Sequence, residues 1–268
     1  TILYSVFTTS EYPPTKEELE ELKQVKSEGT IISRTWKDIT EAVKEMPLTM
    51  KQLIPVKFFT WYAMFCYWQY LTSGLSLSLY DTLEKTSIGF EKANVLTGQV
   101  NGTYNIICFA LAFALVPLAR KIGTRGVHFG CMLLGGIGIL SIPYLSDTTV
   151  LFSFANPFGD GELTVTTIFL FAIGLGIAWA SMLAMPYQLL TSSLPKGKVG
   201  VYMGIFNMFI VIPMIIQIFS MQYFVYDLLG SNPINVLRLA GVFLIVGGIF
   251  TLFVKLPKKT TNQATEAK

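Results

Sequence analysis

Residues 163–190 read LTVTTIFLFAIGLGIAWASMLAMPYQLL, a run that contains no Asp, Glu, Lys or Arg. A helix of about 20 apolar residues is long enough to cross the hydrocarbon core of a bilayer. Because backbone N–H and C=O groups in lipid must be hydrogen-bonded within the protein, such a run predicts a membrane-spanning helix. Long apolar runs of this kind predict six spans, at residues 52–79, 95–119, 127–145, 163–190, 199–226 and 235–254.

The composition of the whole chain also indicates a membrane protein. Of the 268 residues, 52% are hydrophobic and 14% are charged, whereas average soluble proteins carry roughly 25% charged residues. Helices packed in a soluble core would need charged faces toward water. A transmembrane β-barrel would need alternating segments of about 10 residues. The six runs have neither feature, so the sequence predicts an all-α transmembrane fold.

Several classes of function are disfavoured by the sequence. A dispersed net charge of +3 does not indicate a nucleic-acid partner. Cys66, Cys108 and Cys131 lie in apolar runs, and His128 is the single histidine, so we expect no metal and no cofactor. The glycines of residues 135–138 have no preceding strand and therefore predict close helix contacts and not a nucleotide loop. The sequence shows no His/Asp/Ser set and no metal-ligand spacing, so we do not expect an enzyme.

The polar segments divide the chain into regions. Residues 1–8 predict the end of a preceding transmembrane helix, so we expect the chain to be the later part of a longer polypeptide. Residues 9–52 predict a polar loop with short amphipathic helices, one of them starting near Thr35. Residues 53–255 predict the transmembrane domain, and residues 256–268 predict a disordered tail.

The distribution of Lys and Arg predicts the orientation of the chain. Most of the 20 basic residues lie in loop 9–52, in the connections after the second and fourth spans, and in the tail. The positive-inside rule places these segments in the cytoplasm. We therefore expect a multi-pass protein of the plasma membrane with loop 9–52 and the C-terminus cytoplasmic. Lys57, near the start of the first span, is expected to extend its charged end to the interface.

Polar and aromatic residues within the spans predict a ligand path. Polar groups in a membrane normally face the protein interior or a water-filled cavity. Amides and hydroxyls can hydrogen-bond to a hydroxyl-rich neutral ligand, and aromatic rings fit the C–H faces of sugar rings. Hydrogen bonds between helices without any ligand are the alternative. The candidate substrate-binding residues are Trp68, Gln69, Asn101, Tyr104, Asn105, Trp179, Asn207 and Gln217.

Three segments of the chain resemble parts of a known family: residues 46–62 (MPLTMKQLIPVKFFTWY), residues 179–187 (WASMLAMPY) and residues 200–213 (GVYMGIFNMFIVIP). In this order they resemble the entry to the seventh helix, the tenth helix and the eleventh helix of sugar transporters of the major facilitator superfamily. Within the superfamily the chain resembles the sucrose–proton symporters and the related glycoside–pentoside–hexuronide cation symporters. The resemblance covers about residues 1–255.

The resemblance implies both an architecture and a mechanism. The six spans would form a six-helix bundle, the C-terminal half of a twelve-helix fold, and an N-terminal six-helix half would be its partner. Secondary active transport by alternating access is implied, with a disaccharide or other glycoside as substrate, a proton or sodium ion as coupling cation, and the lipid bilayer as surroundings. None of the 17 acidic residues lies mid-span, so a proton-carrying carboxylate is expected in the N-terminal half. A non-sugar solute on the same fold, or a membrane subunit without transport, are the alternatives.

Overall fold

The computed structural model describes residues 31–156, 159–191, 193–194 and 199–255. The predicted helix end at residues 1–8, the first part of loop 9–52 and the predicted tail lie outside these ranges. The chain divides into two units, residues 1–45 and residues 46–268.

In the first unit, helix α1 spans Ile31–Lys44. The amphipathic helix expected from Thr35 is present, and it begins four residues earlier. Trp36, Ile39 and Val43 recur at helical spacing and are exposed, with Trp36 at 73%. A polar helix that presents one apolar stripe is the pattern of an interfacial helix.

The described part of the second unit contains six long helices. They are α2 (Leu48–Tyr80), α3 (Ile88–Ile122), α4 (Thr124–Ser141), α5 (Leu170–Thr191), α6 (Val199–Ser220) and α7 (Pro233–Leu252). Helix α6 continues through a π turn at Met221–Val225 and one α-helical turn at Tyr226–Leu228. Single 3-10 turns at Ile142–Tyr144 and Thr167–Phe169 lie between α4 and α5.

Each of the six helices coincides with a predicted span, and the predicted helical transmembrane architecture is confirmed. Helices α3 to α7 are long and apolar enough to cross a membrane, when α6 is counted together with its continuation to Leu228. Helix α2 has 33 residues, but its apolar stretch is interrupted by polar side chains that include Lys57 and Gln69, and it is not among those five. It begins at Leu48, inside the range predicted as loop.

A β-hairpin between α4 and α5 was not predicted. Strand β1 (Val150–Ala155) pairs antiparallel with β2 (Glu162–Thr166), with Phe154 opposite Leu163. The predicted span 163–190 is therefore too long at its start, and α5 begins only at Leu170. The reason is the β-branched run at residues 164–167, which favours extended backbone although it is apolar enough to resemble the start of a helix.

Hydrogen bonds at both ends of the bundle hold its helices together. At one end the Thr49 hydroxyl donates to the Lys255 carbonyl at 2.7 Å, and the Arg125 guanidinium donates to the Val254 carbonyl at 3.0 Å. These bonds join the starts of α2 and α4 to the chain after α7. At the opposite end, Tyr80 is the last residue of α2, and its hydroxyl donates to the carboxylate of Asp147, a residue between α4 and α5.

Small residues allow α4 to approach its neighbours closely. A Cβ atom on Gly136 would lie 2.6 Å from the Gly241 carbonyl of α7, and one on Gly138 would lie 2.9 Å from the Phe171 carbonyl of α5. The glycines of residues 135–138 therefore serve as helix contacts, as predicted. In contrast, a Cβ on Gly200 or Gly204 would meet no described atom within 4 Å, so this pair makes no such contact in the described chain.

Candidate substrate-binding site

Three tryptophans from two helices form a cluster within the bundle. Trp61 and Trp68 of α2 are seven residues apart, which places them on one helix face. Trp179 of α5 lies against both: its ring centre is 5.8 Å from that of Trp61 and 5.5 Å from that of Trp68. Each pair meets edge to face, the arrangement that the ring quadrupole favours. We call Trp61, Trp68 and Trp179 the tryptophan cluster.

Hydroxyl and amide groups link the tryptophan cluster to α3. The Trp68 indole N–H donates to the Tyr104 hydroxyl at 3.3 Å, and the neighbouring Tyr67 hydroxyl donates to the Asn101 side-chain oxygen at 2.8 Å. The rings of Tyr67 and Tyr104 also meet edge to face at 6.2 Å. The predicted residues Trp68, Asn101 and Tyr104 are thus brought together, and Tyr104 is buried while the other two are half-buried.

An amide pair links α2 to α6. The Gln217 side-chain NH₂ donates to the Gln69 side-chain oxygen at 3.0 Å and to the Cys66 sulfur at 3.6 Å. Gln217 is fully buried, whereas Gln69 is exposed. The Gln217 side-chain oxygen has no hydrogen-bond partner among the described residues. Because a buried amide oxygen without a partner is costly, this atom is an acceptor available to a ligand or to a water molecule.

Asn105 is placed apart from these contacts. Its side-chain NH₂ donates at 2.8 Å to the carbonyl of Asn101, within its own helix α3, and the side chain is exposed. The adjacent turns of α3 also present exposed apolar rings at Phe109 and Phe113. Asn105 therefore lies on the open face of α3 and not among the groups that contact the tryptophan cluster.

Asn207 belongs to a second group of residues. The Tyr187 hydroxyl donates to its side-chain oxygen at 3.1 Å, and the Tyr187 ring lies 5.1 Å from that of Phe206. Asn207 precedes Gln217 by ten residues, or about 15 Å along a helix at 1.5 Å per residue. Four of the eight predicted residues, Trp68, Asn101, Tyr104 and Trp179, are thus joined at the tryptophan cluster, Asn101 through Tyr67. Gln69 and Gln217 form a separate pair between α2 and α6, and Asn105 and Asn207 lie outside both groups.

Lys57 was not predicted to lie inside the protein. Its side chain is 1% exposed, and its ammonium nitrogen lies 4.7 Å from the ring centre of Phe206, 4.8 Å from that of Tyr187 and 5.6 Å from that of Trp61. The expectation that Lys57 extends to the interface is wrong. Residues four apart share a helix face, so Lys57 points with Trp61 toward α5 and α6, which enclose it. We call Trp61, Tyr187 and Phe206 the aromatic cage.

His128 is a second buried ionisable residue. It lies on α4, and its Nδ1 is 2.8 Å from the Ser181 hydroxyl of α5. Its Nε2 has no hydrogen-bond partner among the described residues. Nothing in the sequence around His128 distinguishes a buried ring from one that faces lipid. Tyr67 was not predicted as a site residue for a related reason: its hydroxyl donates to Asn101, and this contact depends on how α2 and α3 pack.

Two cavities lie elsewhere, near the hairpin. One of about 590 Å³ is lined by residues that include Tyr80, Lys92 and Asp147. The other, of about 650 Å³, lies between α3 and the hairpin, with Gly102 and Phe152 in its lining. None of the eight predicted residues lines either cavity. Among the described residues no group of three or more His, Cys, Asp or Glu side chains could hold a metal ion.

Comparison with known proteins gives one match. A family model described as Major Facilitator Superfamily matches residues 1–218, which is most of the chain. No curated protein and no solved structure gives a match. The matched family consists typically of membrane transporters and not of enzymes, in agreement with the helical bundle and its membrane-spanning helices. The chain belongs to the major facilitator superfamily and is an integral membrane protein of the transporter class.

Proposed function

We propose that this transporter carries a sugar, a disaccharide or another glycoside, and that the sugar binds at the tryptophan cluster. The observation that carries the proposal is the cluster of three indole rings, with the Trp68 indole bonded to the Tyr104 hydroxyl of α3. A pair of amides, Gln69 and Gln217, joins the same helix α2 to α6. Rings offer apolar surfaces to the C–H faces of a sugar, while Gln69, Asn101 and Gln217 offer donors and acceptors to its hydroxyl groups.

The absence of charge at this site supports a neutral ligand. The residues of the tryptophan cluster with Asn101 and Tyr104, and those of the amide pair Gln69–Gln217, all have uncharged side chains. Neutral amides and hydroxyls pair with hydroxyl groups without leaving a buried charge unpaired, which would be costly at membrane depth. A site built to hydrogen-bond hydroxyl groups also rejects ligands that lack them, because its own polar groups are then left without partners.

We further propose that a second six-helix half completes the site. Helix α3 presents Ile106, Phe109 and Phe113 at about 70% exposure, together with the amide of Asn105. Such a face is suited to another set of helices that lines the opposite side of a substrate path. Transport would follow by alternating access, in which the two halves rock around a site near mid-membrane.

The coupling cation and the orientation belong to the same proposal. The resemblance to cation symporters favours a proton or a sodium ion as the coupling ion. The basic loops favour a plasma-membrane protein with loop 9–52 and the C-terminus in the cytoplasm.

Transport by reconstituted protein tests the proposal. The protein, expressed from its complete reading frame, would be placed in liposomes, and uptake of radiolabelled sucrose would be followed with and without an inward proton gradient. Uptake that unlabelled disaccharides inhibit supports a sugar transporter. Uptake of amphipathic cations, or inhibition of transport by these cations and not by sugars, would indicate the non-sugar alternative. Folded, inserted protein without any flux would indicate a subunit that does not transport.

A further inference from the structure

We propose that Lys57 is a proton-carrying group of this transporter, held in the aromatic cage and linked to the tryptophan cluster through Trp61. The inference rests on the proposed function in one respect, the coupling of transport to a proton. It assigns to this half of the fold a coupling group that the sequence was expected to place elsewhere. The proton would bind the free amine to give the ammonium ion and would leave it to water on the other side.

The position of Lys57 is unlike that of an interfacial lysine. It lies nine residues after Leu48, or about 14 Å along α2 at 1.5 Å per residue. Its side chain is 1% exposed, and its nitrogen has no hydrogen-bond partner among the described residues. An ionisable side chain that faces the interior of a membrane bundle indicates an ion or proton pathway more often than a structural role.

The aromatic cage favours a proton, and not an acidic ligand, as the partner of Lys57. Three ring faces surround the nitrogen at 4.7–5.6 Å. The negative face of an aromatic ring attracts a cation and repels a carboxylate or phosphate. The side chain is also too enclosed to admit a second group of that size. The enclosure therefore suits an amine that alternates between its neutral and its ammonium form, and it disfavours a site for an acidic substrate.

The helices around Lys57 carry other titratable groups. His128 of α4 interacts electrostatically with Lys57, and the Tyr187 ring of α5 belongs to the aromatic cage. Cys131 lies one turn after His128 on α4, and the buried Tyr202 lies one turn before Phe206 on α6. In α7 the ionisable residue is Arg238, whose guanidinium donates to the Asn235 side chain. Both residues lie near the start of α7, at the opposite end of that helix from Leu252. None of these groups is a carboxylate, so none of them forms an ion pair that would hold Lys57 permanently in its charged form.

Trp61 connects the aromatic cage to the tryptophan cluster. One face of its indole lies 5.6 Å from the Lys57 nitrogen, and the same ring meets those of Trp68 and Trp179. Its indole N–H is buried and has no hydrogen-bond partner among the described residues. A bound sugar that moves Trp68 or Trp179 therefore acts on a ring that also encloses Lys57. This contact is the physical basis for coupling the two sites.

Replacement by methionine tests the proposal. Lys57→Met keeps an unbranched side chain of similar length and leaves no buried charge unpaired, so the fold should be retained. In liposomes containing the complete protein, we expect Lys57→Met to lose proton-driven accumulation, so that inner sugar reaches only the outer concentration. Exchange of inner for outer sugar, which moves no net proton, should stay close to the wild-type rate. Lys51→Met, an exposed lysine of the same helix, should accumulate sugar like the wild type.

The outcomes separate the two proposals. Accumulation by Lys57→Met at the wild-type level would overturn the role of Lys57 and leave the sugar proposal intact. Loss of exchange together with accumulation would also overturn it, because Lys57 would then act in folding or in the substrate path. A wild-type protein that moves no sugar would instead contradict the proposed function.

A second measurement does not depend on the substrate. In protein labelled with ¹³C at the lysine Cε atoms, the resonance that Lys57→Met removes should change with pH while the protein stays folded. Exposed lysines serve as the internal control, because they remain ammonium ions up to about pH 9. A Lys57 resonance that is constant from about pH 5 to about pH 9 would overturn the proposal, since buried lysines that exchange protons do so in that range.

Discussion

The close approach of α5 to α3 is predicted to control the geometry of the candidate site. A Cβ atom on Gly176 would lie 2.7 Å from the Tyr104 carbonyl and 2.8 Å from two side-chain carbons of Ile107. Gly176 precedes Trp179 by three residues, and Tyr104 accepts the indole N–H of Trp68. Gly176→Ala therefore forces the two helices apart at the point where the tryptophan cluster meets α3.

The size of the effect follows from these contacts. Ordinary van der Waals contact begins at 3.4 Å, so α3 and α5 must separate by roughly 0.7 Å, the difference between that value and 2.7 Å. Overpacking of this kind typically costs about 1–3 kcal/mol. Glycine-to-alanine replacement within a helix returns roughly 1 kcal/mol through propensity. Gly102→Ala is the matched control, because a Cβ at this position would meet nothing within 4 Å in the described chain. This variant should therefore keep the stability gained from helix propensity.

Thermal unfolding of the purified protein in detergent measures the difference. We expect Gly176→Ala to unfold below Gly102→Ala by about 2–12 °C, since 1 kcal/mol shifts the midpoint by roughly 2–4 °C in a domain of this size. The affinity for substrate should fall as well, because Trp179 and Tyr104 are displaced relative to each other. Equal midpoints for the two variants would refute the close helix approach on which the site geometry depends.

Two further replacements probe the polar groups of the site. Gln217→Leu removes the donor that reaches Gln69, and we expect the apparent KM of uptake to rise about 2- to 10-fold, the equivalent of one neutral hydrogen bond; an unchanged KM would exclude the amide pair from substrate binding. Asn105→Ala removes an exposed amide on the face of α3 that we propose lines the substrate path, so we expect lower uptake. Because the amide bonds only within its own helix, membrane insertion should be normal. Wild-type uptake by Asn105→Ala at equal surface expression would remove Asn105 from the substrate path.

The positions of the helices could be predicted because the bilayer imposes a simple rule on the sequence. A segment such as residues 235–254 must be apolar over most of its length, and it forms α7 within two residues of the predicted ends. The hairpin escaped prediction because β1 lies in the connection between two predicted spans, while most of β2 was included in the start of the span predicted at residues 163–190. Hydrophobicity alone does not distinguish an apolar strand beside a membrane from the first turns of a helix.

The candidate site was predictable only within each helix. Periodicity places Asn101, Tyr104 and Asn105 near one another on α3, but it does not say which of them faces α2. That choice depends on the crossing of the two helices, which is set by packing between residues far apart in sequence. The direction of Lys57 is a similar case: a long flexible side chain near a helix end can reach water or turn inward, and the surrounding rings decide.

Uptake of radiolabelled sucrose by the complete protein in liposomes, compared between Trp68→Ala and Trp36→Ala, tests the central claim most directly. Trp68 belongs to the tryptophan cluster, whereas Trp36 lies exposed on α1 in the separate unit of residues 1–45. We expect Trp68→Ala to lower kcat/KM by about tenfold or more, because truncation of an aromatic residue that anchors a bound partner commonly costs about 2 kcal/mol or more. Trp36→Ala should transport like the wild type. Wild-type sucrose uptake by Trp68→Ala, at equal amounts of inserted protein, would contradict a sugar site at the tryptophan cluster.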